Sequence, residues 1–249
     1  MNKYKQNIFE LETLGFTIIK DVIKLDILQE LKSKIDQALK VDNERFSKFK
    51  GKKEDLIIDL TIHDKYFLSS IDNDIIFEFC NEILGNDPIL YSYTSTILKP
   101  KVESKVQEIH IDSNKFIKDY ITGLVMTIPL DDFTDENGAT LYLPGSQNLE
   151  IKPSEETFNK NCVSTSRNAG DILFFNPRVW HKAGNNRTDK IRYGLTLYAT
   201  RSFFKQRFDF PYMIPKENLI GLSDRILSFL GYNSCPPQSI DQYYNNQRI

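Results

Sequence analysis

The stretch "DILFFNPRVWHKAGNNRTDKIRYGLTLYAT", residues 171 to 200, decides the fold. It contains three short runs rich in β-branched and aromatic residues, "DILFF", "VWHKAG" and "IRYGLTLYAT". Asn, Pro, Gly and Asp separate these runs, and such residues favour turns. Short β-rich runs with turn signals between them predict a sandwich or barrel.

The same pattern begins at Pro88 and includes "ILYSYTSTIL", "VQEIHID", "YITGLVMTIPL" and "ATLYLPG". Ahead of it, "GFTIIK" predicts a strand, and apolar residues at helical spacing predict a helix that begins near Asp26. "NDIIFEFCNEILG" predicts a second helix that ends at Gly85, and "KENLIGLSDRILSFLGY" predicts helix after Arg201.

We therefore predict a mainly β protein with flanking helices around a double-stranded β-helix core, a cupin-like jelly roll. Residues 1–249 are expected to form a single domain. Its N-terminal helices are expected at about 20–85, its β core at about 88–202 and its C-terminal helical segment at about 215–232.

The composition is that of a folded globular protein, with 40% hydrophobic and 27% charged residues. A net charge of -2 indicates no broad attraction to nucleic acid. The opening "MNKYKQNIFELETLG" has no apolar run suited to a signal peptide, and no later stretch approaches membrane-spanning length. Cys80, Cys162 and Cys235 lack CxxC spacing and are expected to be reduced thiols. These features predict a cytoplasmic protein with neither nucleic acid nor membrane as partner.

Two histidines and an aspartate form the candidate metal site. His110 and Asp112 are two residues apart, so on a strand both side chains would point to one face. His181, in "NPRVWHKAGNN", lies on another predicted strand that a barrel could bring alongside. Two histidines and a carboxylate suit a non-heme ferrous ion and leave three coordination positions open. Zinc accepts the same set, and the spacing does not separate the two metals.

Arg192 lies eleven residues after His181, on the next β run. A guanidinium that points into the barrel there would bind a carboxylate through two hydrogen bonds. From position alone, a surface arginine is an equal alternative.

The chain resembles phytanoyl-CoA dioxygenase-type members of the iron(II)/2-oxoglutarate oxygenases from about Phe9 to Tyr232. The most specific shared features are the Asn-Gly followed by Leu-Pro-Gly-Ser and the arginine eleven residues beyond His181. The resemblance rests on the segments "LETLGFTIIKDVIKLDILQELKSKI", the His-x-Asp pair, "LDDFTDENGATLYLPGSQ", "AGDILFFNPRVWHKAGNNRTDKIRYGLTLYA" and "LSFLGY".

The resemblance implies that His110, Asp112 and His181 bind Fe(II) and that Arg192 holds the distal carboxylate of 2-oxoglutarate. These four would form the catalytic set. Dioxygen would be the second cosubstrate, and the usual outcome is hydroxylation of a C–H bond with release of succinate and CO2. Halogenases of this superfamily have a small residue in place of the carboxylate, and Asp112 argues against that outcome.

Two positions depart from the family pattern. The family often has Ser or Thr two residues after the distal histidine, where this chain has Ala183. It often has an aromatic residue where this chain has Thr127. Either Thr127 supplies a hydroxyl of its own or the cosubstrate is held by fewer bonds. Ser95 is also predicted to contact the cosubstrate.

Four residues close to the ligands in sequence are candidates for substrate binding. A basic pair such as Lys115 and Arg201 would suit an anionic or polar small molecule. The charge-rich segment "RFSKFKGKKED" predicts a solvated loop, and in the resembled family this region can cover the active site. The four candidates are Tyr93, Gln107, Lys115 and Arg201.

Two other functions fit a cupin-like fold. One is a zinc- or manganese-dependent enzyme such as an isomerase, which would have no use for Arg192 at its spacing. The other is a non-catalytic binding protein, against which the intact triad and Arg192 argue.

Overall fold

The protein has two antiparallel β-sheets, with helices packed on the larger one. This is a computed structural model, and it describes residues 3–50, 52, 55–102 and 105–245. The strands are β1 (Phe16–Ile19), β2 (Ile89–Leu98), β3 (Gly123–Pro129), β4 (Thr140–Tyr142), β5 (Val163–Ser164), β6 (Ile172–Phe175), β7 (His181–Ala183) and β8 (Arg192–Thr200).

The larger sheet has the order β1-β6-β3-β8-β2 and the smaller one has the order β5-β4-β7. Strands that are distant in sequence are therefore neighbours in space, as a jelly roll requires. An apolar cluster joins the two sheets, with Val125 and Phe175 from the larger sheet packed with Tyr142 from the smaller. The prediction of a mainly β jelly-roll core with flanking helices is confirmed.

The helices of the described residues flank this core. Asn73 caps one of them by accepting a hydrogen bond from the Ile75 amide, and Gly85 ends it at φ 80°. None of the helices in this part of the chain combines the length and the apolar character needed to cross a bilayer. The helices are α1 (Lys5–Thr13), α2 (Leu25–Phe46), α3 (Lys65–Ser70), α4 (Asp74–Leu84), α5 (Glu155–Asn161), α6 (Phe210–Met213), α7 (Lys216–Leu219), α8 (Asp224–Phe229) and α9 (Ile240–Tyr244).

Alternate residues of the strands face two different sides, the cluster under the helices and the space between the two sheets. On β3, Leu124 and Met126 belong to the large cluster shared with the helices, whereas Val125 belongs to the cluster between the sheets. Thr127 follows Val125 by two residues and so shares its face. The same alternation on β8 places Arg192 and Thr196 on one face, because they are four residues apart.

Two predicted elements differ in the structure. "VQEIHID" was predicted as a strand, but it forms a 3-10 turn at Lys105–Gln107 and a single bridge from His110 to His181. The pairing stops there because the amides of Asp112 and Ser113 both donate to the carbonyl of Pro177 instead of a neighbouring strand. The C-terminal helical segment is divided into α7 and α8, with Gly221 between them at φ 81°.

The sequence analysis missed α1, α3, α5, α6 and α9. Leu11 is the one buried residue of α1, so its apolar pattern is too sparse to indicate a face. The other four are short, at 4 to 7 residues. The predicted loop "RFSKFKGKKED" overlaps the end of α2, which continues to Phe46, and residues 51, 53 and 54 lie outside the described part of the chain.

Candidate metal centre

The three predicted ligands come together at the edge of the smaller sheet. One ligand atom from each of His110, Asp112 and His181 lies within 4.8 Å of the other two. Asp112 Oδ1 is 3.8 Å from His110 Nε2 and 3.9 Å from His181 Nε2. Three donors this close can share one ion, and two imidazoles with a carboxylate are the donor set that ferrous iron accepts.

Backbone hydrogen bonds hold the two histidines side by side. The amide of His110 donates to the His181 carbonyl and the amide of His181 donates to the His110 carbonyl, each at 3.0 Å. The Asp112 amide donates to the Pro177 carbonyl at 2.8 Å. The segment from 110 to 112 is therefore fastened beside β7, although it is not itself a regular strand.

Each histidine uses its second ring nitrogen to fix its orientation. His110 Nδ1 lies 2.8 Å from the Glu108 carbonyl oxygen, and His181 Nδ1 lies 2.9 Å from that of Val179. A carbonyl only accepts, so Nδ1 carries the hydrogen in both rings and donates it. The lone pair on Nε2 is then free for a metal.

His181 is buried among aromatic rings. Tyr142 stacks on it with centroids 5.3 Å apart, and Phe175 meets it edge-on at 5.0 Å. Burial lowers the pKa of His181 to about 4, against the opposing effect of the Asp112 carboxylate. The imidazole is therefore neutral near pH 7, which is the form that binds metals.

Arg192 is 1% exposed, and no ion pair joins it to a carboxylate in the described part of the chain. Its guanidinium donates to the Gly138 carbonyl and lies 4.0 Å from the centroid of the Phe133 ring, while Nε has no hydrogen-bond partner among the described residues. Burial lowers the pKa of Arg192 to about 9, and nearby Arg167 acts in the same direction. A buried cation without a counterion fits an anionic ligand.

One cavity of about 190 Å³ contains both the triad and Arg192. Arg192 therefore points into the barrel beside the triad, and the alternative of a surface arginine is wrong.

The phytanoyl-CoA dioxygenase (PhyH) family model matches residues 11–194, a span that includes the triad and Arg192. The chain belongs to this family. It is thus a member of the non-heme iron, 2-oxoglutarate-dependent oxygenases that carry a His-x-Asp…His triad. This membership confirms the resemblance on which the sequence analysis relied.

Curated relatives are similar to this chain in sequence, and a solved structure is similar to it in fold. An uncharacterized protein of Mycobacterium tuberculosis is 27% identical over 73% of this chain and 68% of its own length. Dioxygenase sphC of Aspergillus fumigatus is 28% identical over 90% of this chain and 66% of its own length. HygX of Streptomyces hygroscopicus, solved with nickel and 2-oxoglutarate bound, has a TM-score of 0.63 at 14% identity and covers 81% of this chain and 88% of its own.

Both departures from the family pattern lie in the cavity. Ala183 lines it without a hydroxyl. Thr127 also lines it, and Thr127 Oγ1 accepts a hydrogen bond of 2.6 Å from Arg167. Ser95 lines it too, but its hydroxyl oxygen already accepts the Ile57 amide at 2.9 Å.

The structure places two substrate candidates in structural roles away from the cavity. Tyr93 is fully buried and packs edge-on against Phe67. Arg201 donates to the carbonyls of Ile83 and Leu84 at the end of α4, at 3.2 and 2.7 Å. Neither side chain lines the cavity, because the Tyr93 ring fills the core and the Arg201 guanidinium is used at a helix terminus.

The other two candidates also lie outside the cavity lining. Gln107 donates to Asn185 Oδ1 at 2.8 Å. Lys115 Nζ lies 5.2 Å from the centroid of the Phe204 ring. Gln107 and Lys115 therefore make their contacts outside the cavity, although Val106, next to Gln107, lines it.

Tyr142 is a site residue that the sequence analysis missed. It is fully buried and lines the cavity, and its hydroxyl lies beside Thr127 yet has no hydrogen-bond partner among the described residues. Tyr142 is paired with His181 across β4 and β7. Only knowledge of that register could have placed Tyr142 at the metal.

Proposed function

We propose that this oxygenase hydroxylates an unactivated C–H bond of a small molecule. In the balanced reaction, substrate, 2-oxoglutarate and dioxygen give the hydroxylated product, succinate and CO2. One oxygen atom enters the product and the other enters succinate. Dioxygen is the oxidant in this balance, and a bound Fe(II) would supply the means of activating it for removal of the hydrogen.

One observation carries the proposal: a metal-binding triad and a buried, unpaired arginine share a single cavity. A zinc or manganese enzyme needs the triad but not the arginine. A binding protein needs neither arranged in this way. A ligand that chelates a metal at one end and carries a carboxylate at the other fits both, as 2-oxoglutarate does.

The residues divide into three roles. His110, Asp112 and His181 would hold the ion on one side, which leaves the cavity side open to ligands. Arg192 would bind the distal carboxylate, with Nε available as a donor. The hydroxyls in reach of this carboxylate would come from Thr127 and Tyr142, with Ser95 nearby.

The remaining lining supports an uncharged or cationic substrate with an apolar body. Leu56, Ile97 and Val106 contribute apolar surface, and Asp55 contributes a carboxylate. Among the described residues, the lining has no Lys, and Arg192 is its one arginine. This argues against the anionic substrate that Lys115 and Arg201 suggested from sequence.

The test is purification under anaerobic conditions, metal analysis and a succinate-release screen against a metabolite panel. We expect Fe(II) to support succinate release, and zinc and manganese not to. His110→Ala, Asp112→Ala and His181→Ala should each abolish iron binding while the protein stays folded. Glu108→Gln is the matched control, since Glu108 is exposed in the same segment and only its backbone contacts His110.

Full iron occupancy and turnover in any of the three triad variants would remove that residue from the metal site. Activity with zinc or manganese and no affinity for 2-oxoglutarate would replace the proposal with the other cupin-type enzyme. Binding of a small molecule with no turnover under any metal would favour the binding protein.

A further inference from the structure

Arg167 is a second buried arginine beside the cosubstrate cavity. It is 6% exposed and lies just ahead of β6, where its backbone forms a bridge with Phe133. Its guanidinium donates to the carbonyl and the hydroxyl of Thr165 at 3.0 and 3.1 Å. It also donates to Thr127 Oγ1 at 2.6 Å, and Nε has no hydrogen-bond partner in the described part of the chain.

The guanidinium groups of Arg167 and Arg192 both contact the Phe133 ring. Arg167 and Arg192 lie 4.8 and 4.0 Å from the centroid of the Phe133 ring. Neither forms an ion pair with a carboxylate of the described residues. Two neighbouring buried cations disfavour each other, so an anion bound between them and the metal would stabilise both.

Arg167 does not itself line the cavity, but Thr127 does. A threonine hydroxyl has one hydrogen to donate and lone pairs that accept. Arg167 occupies a lone pair of Thr127 Oγ1 from outside the cavity, so the hydroxyl hydrogen must point away from the guanidinium. A donor oxygen polarised by a cation also makes a stronger hydrogen bond in a dry site.

We propose that Arg167 is a positioning residue for 2-oxoglutarate, which it serves by fixing the Thr127 hydroxyl as a donor to the carboxylate that Arg192 binds. This inference rests on the proposed function. It assigns Arg167 no direct contact with the cosubstrate. Its effect therefore depends on the presence of the Thr127 hydroxyl.

A double-mutant cycle tests this dependence. The variants are Arg167→Met, Thr127→Val and the double variant, each with Fe(II) bound under anaerobic conditions. The measurement is the Kd for 2-oxoglutarate from the metal-to-ligand charge-transfer band, together with the thermal unfolding midpoint. We expect each single change to raise Kd about tenfold, the effect of one lost charge-assisted hydrogen bond. The Kd of the double variant should be no higher than that of the single variant with the higher Kd.

Thr165→Val is the matched control, because it removes another hydrogen bond of the same guanidinium and leaves the one to Thr127. We expect it to lower the unfolding midpoint and leave Kd unchanged. Thr127→Ser keeps the hydroxyl and should restore Kd to near the parent value.

Three results would overturn the inference. A parent-like Kd in Arg167→Met would make its role purely structural, and additive effects in the double variant would mean direct contact with the cosubstrate. A parent-like Kd in Thr127→Val overturns it even if Arg167→Met does not fold. If the parent itself shows no affinity for 2-oxoglutarate, the proposed function fails, which is a separate outcome.

Discussion

At the scale of single residues, Arg192 shows how burial gives a side chain its chemical role. A guanidinium in solvent is hydrated and screened, so it binds an anion only weakly. At 1% exposure, with Nε unpaired and no ion pair to a carboxylate among the residues that the structure describes, Arg192 is a preformed site for an anion. The desolvation cost has already been met during folding, so an incoming carboxylate gains most of the interaction.

Replacing Arg192 should therefore weaken cosubstrate binding specifically. We expect Arg192→Ala to raise the Kd for 2-oxoglutarate roughly a hundredfold, which corresponds to about 2.7 kcal/mol. Arg192→Lys should recover part of this, because an ammonium lacks the planar fork. Anaerobic titration of the iron protein measures both values.

Iron occupancy provides the control for this prediction, because Arg192 is not among the candidate ligands. Occupancy should stay at the parent level in both variants. An Arg192→Ala protein that titrates like the parent would end the assignment of the distal carboxylate.

For Tyr142→Phe, we expect higher stability of the ligand-free protein but weaker binding of 2-oxoglutarate. The buried Tyr142 hydroxyl has no hydrogen-bond partner within the described residues, so Tyr142→Phe removes an unsatisfied polar group. The ligand-free protein should become slightly more stable, by up to about 1 kcal/mol. If the hydroxyl donates to 2-oxoglutarate, Kd should rise about tenfold in the same variant. Urea denaturation and the anaerobic titration measure the two effects.

The contrary result for Tyr142 is equally clear. A Tyr142→Phe protein that binds 2-oxoglutarate as tightly as the parent would limit Tyr142 to packing against His181.

At the scale of elements, the register between strands collects hydroxyl groups in the cavity. Thr196 on β8 is paired with Thr94 on one side and with Thr127 on the other. All three line the cavity, as does Arg192 four residues before Thr196. Three strands in fixed register thus supply a polar row that no single strand contains.

The end of α4 explains the position of Arg201 and gives an element-scale prediction. Its guanidinium satisfies the carbonyls of Ile83 and Leu84, which the helix cannot pair itself, and that of Ile121 at 2.9 Å. We expect Arg201→Ala to lower the free energy of unfolding by about 2 kcal/mol. The affinities for iron, 2-oxoglutarate and substrate should remain those of the parent.

Urea denaturation measures the loss, and Arg207→Ala is the control. Arg207 is exposed, so its removal should change stability by less than about 0.5 kcal/mol. A loss of substrate affinity in Arg201→Ala without a loss of stability would restore Arg201 to the substrate site.

At the scale of the whole molecule, the metal ligands join segments about 70 residues apart in sequence. His110 and Asp112 lie on an irregular segment that two backbone hydrogen bonds tie to His181. A bound ion would add a further link between these segments in the folded state alone. Ligand binding to the native state raises stability by mass action.

Metal and cosubstrate should therefore stabilise the protein measurably. At a hundred times Kd each ligand contributes about 2.7 kcal/mol, which for a chain of this size shifts the midpoint by roughly 5–10 °C. Anaerobic differential scanning fluorimetry with Fe(II) and then 2-oxoglutarate measures the shifts. In Asp112→Ala, Fe(II) should no longer shift the unfolding midpoint. Without metal, 2-oxoglutarate should shift the midpoint of the parent protein by less than it does with Fe(II) bound.

The sequence by itself determined the β-rich core, most of its strands and the identity of the triad and Arg192. These follow from local signals: turn residues between apolar runs, the two-residue spacing of His110 and Asp112, and a family pattern that extends over most of the chain. Thr127 was singled out by comparison with the same family pattern, and its side chain lines the cavity.

Only the tertiary structure decided which polar groups share the cavity. Tyr142 reaches His181 through pairing across strands, and Arg167 reaches Thr127 from the loop that precedes β6. The same folding turned Arg201 toward a helix end and Tyr93 into the core. Register and packing are set by contacts between distant segments, and the free energy of those contacts is not encoded in any local stretch.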